Sequence, residues 1–127
     1  MNDLILIAAG GAIGAVARFL LSGWFQNLIS FSFFPLGTWL VNLIGSFLLS
    51  IIMYTAEASG MLSREFRVFL SIGFLGSFTT FSTFAYESFR LFEEKEYLYF
   101  FLNSGGGFGA AFFSIFLGKI VANLLWR

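Results

Sequence analysis

The chain contains no cysteine and no histidine among its 127 residues. Without cysteine there is no disulfide and no thiolate metal site. Without histidine the usual proton carrier of neutral pH, and the commonest metal ligand, are missing. Nucleophilic sites of the Ser-His or Cys-His kind are therefore excluded. Charge is scarce as well, at 11% of residues, where an ordinary soluble domain carries about a quarter. Basic and acidic residues cancel, seven against seven, so no electrostatic case exists for nucleic acid. What remains is apolar: 58% of the chain is hydrophobic, with 20 Phe and 14 Gly. Most of it must face lipid or other protein.

Asn2 and Asp3 stand where a cleavable signal would be basic, and no A-x-A-like cleavage site follows. The first apolar stretch is thus expected to be a mature transmembrane helix. Four spans can be cut from the sequence, at about residues 4–25, 35–56, 67–89 and 97–126. Each exceeds the roughly 20 residues that cross a hydrocarbon core. The expected fold is an all-α membrane protein, a single four-helix transmembrane domain over residues 1–127. Connections are short, at residues 26–34, 57–66 and 90–96. Pro35 suits a first helical turn. Ser59-Gly60 marks a turn, and Ser63 is the expected cap of helix three, with Glu65 in its first turn.

An even number of spans puts both termini on one side. Arg64, Arg67, Lys119 and Arg127 fall there, and Arg18, Arg90 and Lys95 fall opposite. So small a bias barely orients the chain. Either the topology is unique but weakly specified, or the protein inserts both ways and pairs antiparallel with itself. Small size favours self-association, since two protomers can build a polar pathway that four helices cannot. Gly10-x-x-x-Gly14, Gly11-x-x-x-Ala15 and Gly105-x-x-x-Gly109 permit close helix approach. Each can mark either the seam or packing within the chain.

Residues 73–84 read G-F-L-G-S-F-T-T-F-S-T-F in the middle of the third span. Gly73 and Gly76 weaken a helix where no water rescues freed backbone groups. Hydroxyls at Ser77, Thr79, Thr80, Ser82 and Thr83 share that depth with Phe74, Phe78, Phe81 and Phe84. A span that handles something polar at the membrane midplane wants such a combination. Thr79, Thr83 and Glu87 form an i, i+4, i+8 stripe if the helix is continuous. Phenyl rings have positive edges, so Phe81 and Phe84 can help solvate a small anion. In span two, Thr38, Asn42, Gly45 and Ser46 form one small polar face. Asn42 is either interhelical glue or an amide donor aimed at an anion. Arg18, the only charge well inside span one, either snorkels to the interface or draws anions into a vestibule. Glu87 can pair with a base such as Arg18.

At these residues the chain resembles the Fluc-type (CrcB) fluoride channels. Residues 10–18 (G-G-A-I-G-A-V-A-R) resemble their first-helix motif, and residues 37–46 (G-T-W-L-V-N-L-I-G-S) their second. Residues 73–84, ending T-T-F-S-T-F, resemble their third-helix signature. The resemblance implies an antiparallel, dual-topology homodimer with two fluoride pores and a third helix broken mid-membrane. It implies pore roles for Asn42, Phe81 and Phe84, with Ser82 and Thr83 as neighbouring hydroxyls; Thr38, on the Asn42 face, joins the same pathway. Arg18 takes the vestibule position and Glu87 that of a family acid. Backbone carbonyls of Gly76 and Thr79, from both subunits, are implied to hold a structural sodium ion, a hard cation that takes oxygen ligands. The implied location is the plasma (inner) membrane of a bacterium or archaeon. The fourth span departs from the family's Ser/Thr track. Gly105, Gly106, Gly107 and Gly109 fill its middle, with Asn103 and Ser104 before them and Ser114 after.

The function so implied is a fluoride-selective passive channel that exports fluoride from the cytoplasm and relieves its toxicity. Amide, hydroxyl and ring-edge groups would replace the water that fluoride holds tightly, and a phenyl-ringed constriction would exclude larger chloride. No histidine and no paired intramembrane carboxylates are present to couple transport to protons. The chief alternative is a small multidrug-type proton-coupled transporter. That class needs an acid in helix one, where this chain carries Arg18 and no acid after Asp3. A packing-only membrane subunit does not explain the hydroxyl-rich third span, and an intramembrane enzyme lacks its residues.

Overall fold

The computed structural model describes residues 2–29 and 33–127. They form α1 (Asn2–Asn27), α2 (Leu36–Ser59), α3 (residues 64–78), α4 (Phe81–Glu93) and α5 (Tyr97–Leu125), with no strand among the described residues. Four stretches are long and apolar enough to cross a membrane: α1, α2, the combined stretch Arg64–Glu93, and α5. The chain is an all-helical integral membrane protein. The expected spans all recur, but the second and third run past their expected ends, so the connections shrink to residues 60–63 and 94–96.

Local chemistry explains those ends. Gly60 closes α2 in the left-handed region (φ 63°), and its N–H donates to the Ala56 carbonyl at 3.1 Å. That conformation suits glycine. Ser63 is extended, and its Oγ accepts from the Phe66 N–H at 3.2 Å, opening α3 as expected. Pro35 lies just before α2 and not within its first turn. Within α3, residues Val68–Leu75 are π-helical, a wide turn that the sequence does not announce.

Packing is inverted relative to a soluble protein. The tight core is small: Val41, Leu75 and Phe78 are buried together. Leu4, Phe19, Leu98, Phe108 and Phe112 lie exposed on the outside. Such a surface is compatible with lipid and not with water. Without a hydrophobic driving force, helices associate through close backbone approach. α2 packs along α5 and α1 along α3. A Cβ on Gly10 would lie 2.4 Å from the Phe69 carbonyl oxygen. One on Gly14 would lie 2.2 Å from that of Phe74 and 2.3 Å from Ser77 Oγ. The Gly10-x-x-x-Gly14 motif therefore packs within the chain. Ser77 adds a hydrogen bond from its Oγ to the Gly11 carbonyl at 2.8 Å. Nothing lies within 4 Å of a Cβ built on Gly105 or Gly109.

Gly14→Val is expected to destabilise the folded protein in detergent by about 1–3 kcal/mol or more, the usual cost of overpacking. Gly23→Ala, with nothing within 4 Å of the new methyl group, is expected to melt within a degree or two of the parent, as surface changes do. Thermal melting followed by size-exclusion chromatography compares the two.

Candidate functional site

Thr79 and Thr80 leave helical geometry between α3 and α4, with φ/ψ of −85°/156° and −146°/120°. Two extended residues strand backbone groups that a continuous helix would pair. The side chain of Asn42 takes up those of Thr80. Its Nδ2 donates to the Thr80 carbonyl at 3.1 Å, and its Oδ1 accepts from the Thr80 N–H at 2.8 Å. The carboxamide thus mimics a neighbouring peptide group. Thr80 Oγ1 accepts from the Thr83 N–H at 3.3 Å and caps α4. Thr79 Oγ1 donates back to the Leu75 carbonyl at 3.0 Å.

These bonds have a second consequence. In a continuous helix, Gly76 and Thr79 carbonyls would accept from Thr80 and Thr83 N–H groups. Here the first goes to Asn42 and the second to the Thr80 hydroxyl. Both carbonyls lose their ordinary donors, and both residues line the same cavity.

That cavity has a volume of about 270 Å³. Asn42, Thr79, Thr80, Phe81, Phe84 and Trp39 are among its walls. Phe81 is 80% exposed. Its ring centroid lies 6.1 Å from that of Phe84, with the planes tilted by 37°. A second, smaller cavity of about 240 Å³ gathers Arg18, Ser22, Thr38, Thr80, Thr83 and Glu87. Thr38 Oγ1 donates to Glu87 Oε1 at 2.9 Å. Thr80 borders both spaces.

The structure thus divides the sequence-predicted residues into two groups. Asn42, Phe81, Phe84, Gly76 and Thr79 meet at the larger cavity, and Thr38, Thr83, Arg18 and Glu87 at the smaller. Ser82 is exposed and lines neither. The expected stripe of Thr79, Thr83 and Glu87 does not form, because extended Thr79 and Thr80 shift Thr79 out of the α4 register. No ion pair joins Arg18 to Glu87 among the described residues. Asn42 does act as interhelical glue. A carboxamide carries two N–H donors, and Thr80 uses one of them.

Trp39 was not singled out by the sequence. It stands three residues before Asn42, hence on the same helical face, and its indole Nε1 is buried without a hydrogen-bond partner. Its spacing from Asn42 was the available signal.

Residues 5–119 match the family profile described as CrcB-like protein, Camphor Resistance (CrcB). The chain belongs to the CrcB family. It is 50% identical over 122 residues to "Fluoride-specific ion channel FluC 1" of Methanosarcina acetivorans, covering 96% of this chain and 92% of that protein. It is 45% identical over 122 residues to "Fluoride-specific ion channel FluC 3" of Methanosarcina barkeri, covering 96% and 91%. To "Fluoride-specific ion channel FluC" of Thermotoga maritima it is 46% identical over 120 residues, covering 92% and 94%. Similarity at that level runs through all four apolar stretches of this CrcB chain.

In this CrcB chain, Asn42→Ala would strand the Thr80 N–H and carbonyl. The expected loss is about 2–3 kcal/mol, the scale of a half-buried polar group left unpaired. Asn42→Asp keeps the acceptor for the Thr80 N–H but turns a second oxygen toward the Thr80 carbonyl, so it is also expected to melt below the parent. Thermal melting in detergent micelles orders the three proteins.

Proposed function

We propose that the chain is a fluoride-selective passive channel, not an enzyme, which lets fluoride leave the cytoplasm down its gradient. The observation that carries this reading is the larger cavity, where neutral donors and phenyl rings meet beside a break in the third span. Membership of the CrcB family supports the same ion, because its relatives carry the name of fluoride-specific channels. The reading includes one four-helix domain per chain and a plasma (inner) membrane of a bacterium or archaeon.

The mechanism follows from which groups are free. Fluoride binds water tightly, so the path must offer donors where water is stripped. The second N–H of Asn42 and the hydroxyl group of Thr83 are the polar candidates, with Thr38 on the same path once its hydroxyl turns from the Glu87 carboxylate that it now donates to. Phe81 and Phe84 add the positive edges of their rings. None carries a formal charge, so no site holds the anion so firmly that it cannot move on. A larger halide fits the phenyl-lined section poorly. Arg18 borders the smaller cavity, where its charge raises the local anion concentration. Hydrogen fluoride enters cells as the neutral acid and dissociates inside. The trapped anion then needs only a passive exit. The small multidrug-type alternative gains no support, since span one offers no acid beyond Asp3.

Two copies in antiparallel orientation, a dual-topology homodimer, complete the site in this reading. A single chain leaves the Phe81 ring 80% exposed and Ser82 on the outside. Both would be covered by a second copy. Loss of their helical donors leaves the Gly76 and Thr79 carbonyls suited to a hard cation. In the dimer they would hold a central sodium ion, which supplies electrostatic cross-linking of the two copies.

Purified protein in liposomes is expected to release fluoride and retain chloride, read with ion-selective electrodes. Equal release of both ions would reject selectivity. The double variant Phe81→Ile and Phe84→Ile is expected to lose fluoride efflux about tenfold or more while remaining folded, since a ring-edge contribution of 1–2 kcal/mol sets that scale. Wild-type efflux in that variant would remove the rings from the pathway. Arg18→Gln is expected to slow efflux by about two- to tenfold at low ionic strength and less in high salt, as a steering charge does.

A further inference from the structure

Asn103 of α5 is completely buried, at 0% exposure, yet it lines neither cavity. Its Nδ2 donates to Ser88 Oγ at 2.8 Å. The same hydroxyl donates to the Phe84 carbonyl at 2.8 Å. The amide oxygen of Asn103 has no partner. A buried amide with an unpaired acceptor is costly, and an apolar side chain of similar shape would avoid that cost. Burial energy therefore does not favour asparagine here, whereas alignment of the Ser88 hydroxyl does. A serine bonded to the carbonyl four residues before it tends to bend its helix. The bond from α5 holds that hydroxyl on the Phe84 carbonyl.

Gly107 lies four residues along the same face of α5. A Cβ there would stand 2.9 Å from Phe84 Cε2, and 3.3 Å from both Cδ1 and Nε1 of Trp39. The bare backbone is thus the seat on which the Phe84 ring and the Trp39 indole rest. α5 holds Phe84 twice, by its carbonyl through Ser88 and by its ring through Gly107.

We infer that Asn103 and Gly107 are positioning residues of the anion path: they set where the edge of the Phe84 ring stands. The inference rests on the channel reading and deepens it. In this chain the glycine-rich fourth span supplies placement of an aromatic wall, in a region where it has little polar side chain of its own to offer.

The test is fluoride efflux from liposomes, normalised to folded protein, for Ser88→Ala, Gly107→Ala and the double variant Ser88→Ala with Asn103→Leu. The double variant removes both partners of a buried hydrogen bond, so its folding is expected to be nearly unaffected. Ser88→Ala and Gly107→Ala are each expected to lose about tenfold in fluoride efflux, the rate equivalent of one displaced contact. The double variant is expected to match Ser88→Ala, because both changes cut one link. With Trp24 and Trp126 replaced by Phe, Gly107→Ala is further expected to shift Trp39 fluorescence. Wild-type efflux in the folded double variant, or in folded Gly107→Ala, overturns the inference. Phe81→Ile with Phe84→Ile is the control. If that control conducts normally, the ring-edge pathway itself is wrong; if it is blocked while the α5 variants conduct, only the positioning role is wrong.

Discussion

The carboxamide of Asn42 does for Thr80 what a neighbouring strand or a water molecule would do elsewhere. It gives one donor and one acceptor to a peptide group that has left its helix. In lipid there is no other ready source of either. Remove that exchange, and Thr79 and Thr80 have strong reason to return to a continuous helix. The site would then go with them. Gly76 and Thr79 carbonyls would recover their donors, α4 would lose its Thr80 cap, and Phe81 and Phe84 would rotate relative to α2. One side chain on α2 therefore pairs the peptide group at which the third span leaves helical geometry.

The rest of the chain is built to tolerate that irregularity. Its exterior is apolar and its tight core small, so solvent exclusion within the protein contributes little to helix association. Close approach does the work instead, with Gly10 and Gly14 against α3 and Gly118 against Ser50 and the Phe47 carbonyl. The π-helical stretch Val68–Leu75 lies along α1, separated by residues 76–78 from extended Thr79 and Thr80. The proposed ion path then uses the polar groups that this packing leaves over. They are neutral near the phenyl rings, while Arg18 and Glu87 border the smaller cavity. That separation suits passage of an anion better than its capture.

The spans, the Ser63 cap and the Gly60 terminus were legible because each depends on local composition. Asn42 with Thr38, and Phe81 with Phe84, were legible as groups of unusual residues at helical spacing. The stripe of Thr79, Thr83 and Glu87 misled, because it assumed a regular helix across extended Thr79 and Thr80, the second of which bonds its amide to Asn42 on another helix. No local signal in residues 68–75 reveals a π-helix, which packs along α1. The role of Gly10-x-x-x-Gly14 was equally open in sequence: the motif announces close approach but not the partner. Asn103 could be suspected as a polar residue in an apolar span. Its link to Ser88 and Phe84 spans two helices and needed the fold.

Solid-state NMR of the protein in lipid bilayers, with Thr residues labelled with carbon-13 and nitrogen-15, tests the central claim most directly. Thr79 and Thr80 are predicted to give Cα and Cβ shifts of extended backbone, and Asn42→Ala to change the Thr80 amide nitrogen shift most among the threonines. Helical shifts at both residues in the unmodified protein would contradict the account.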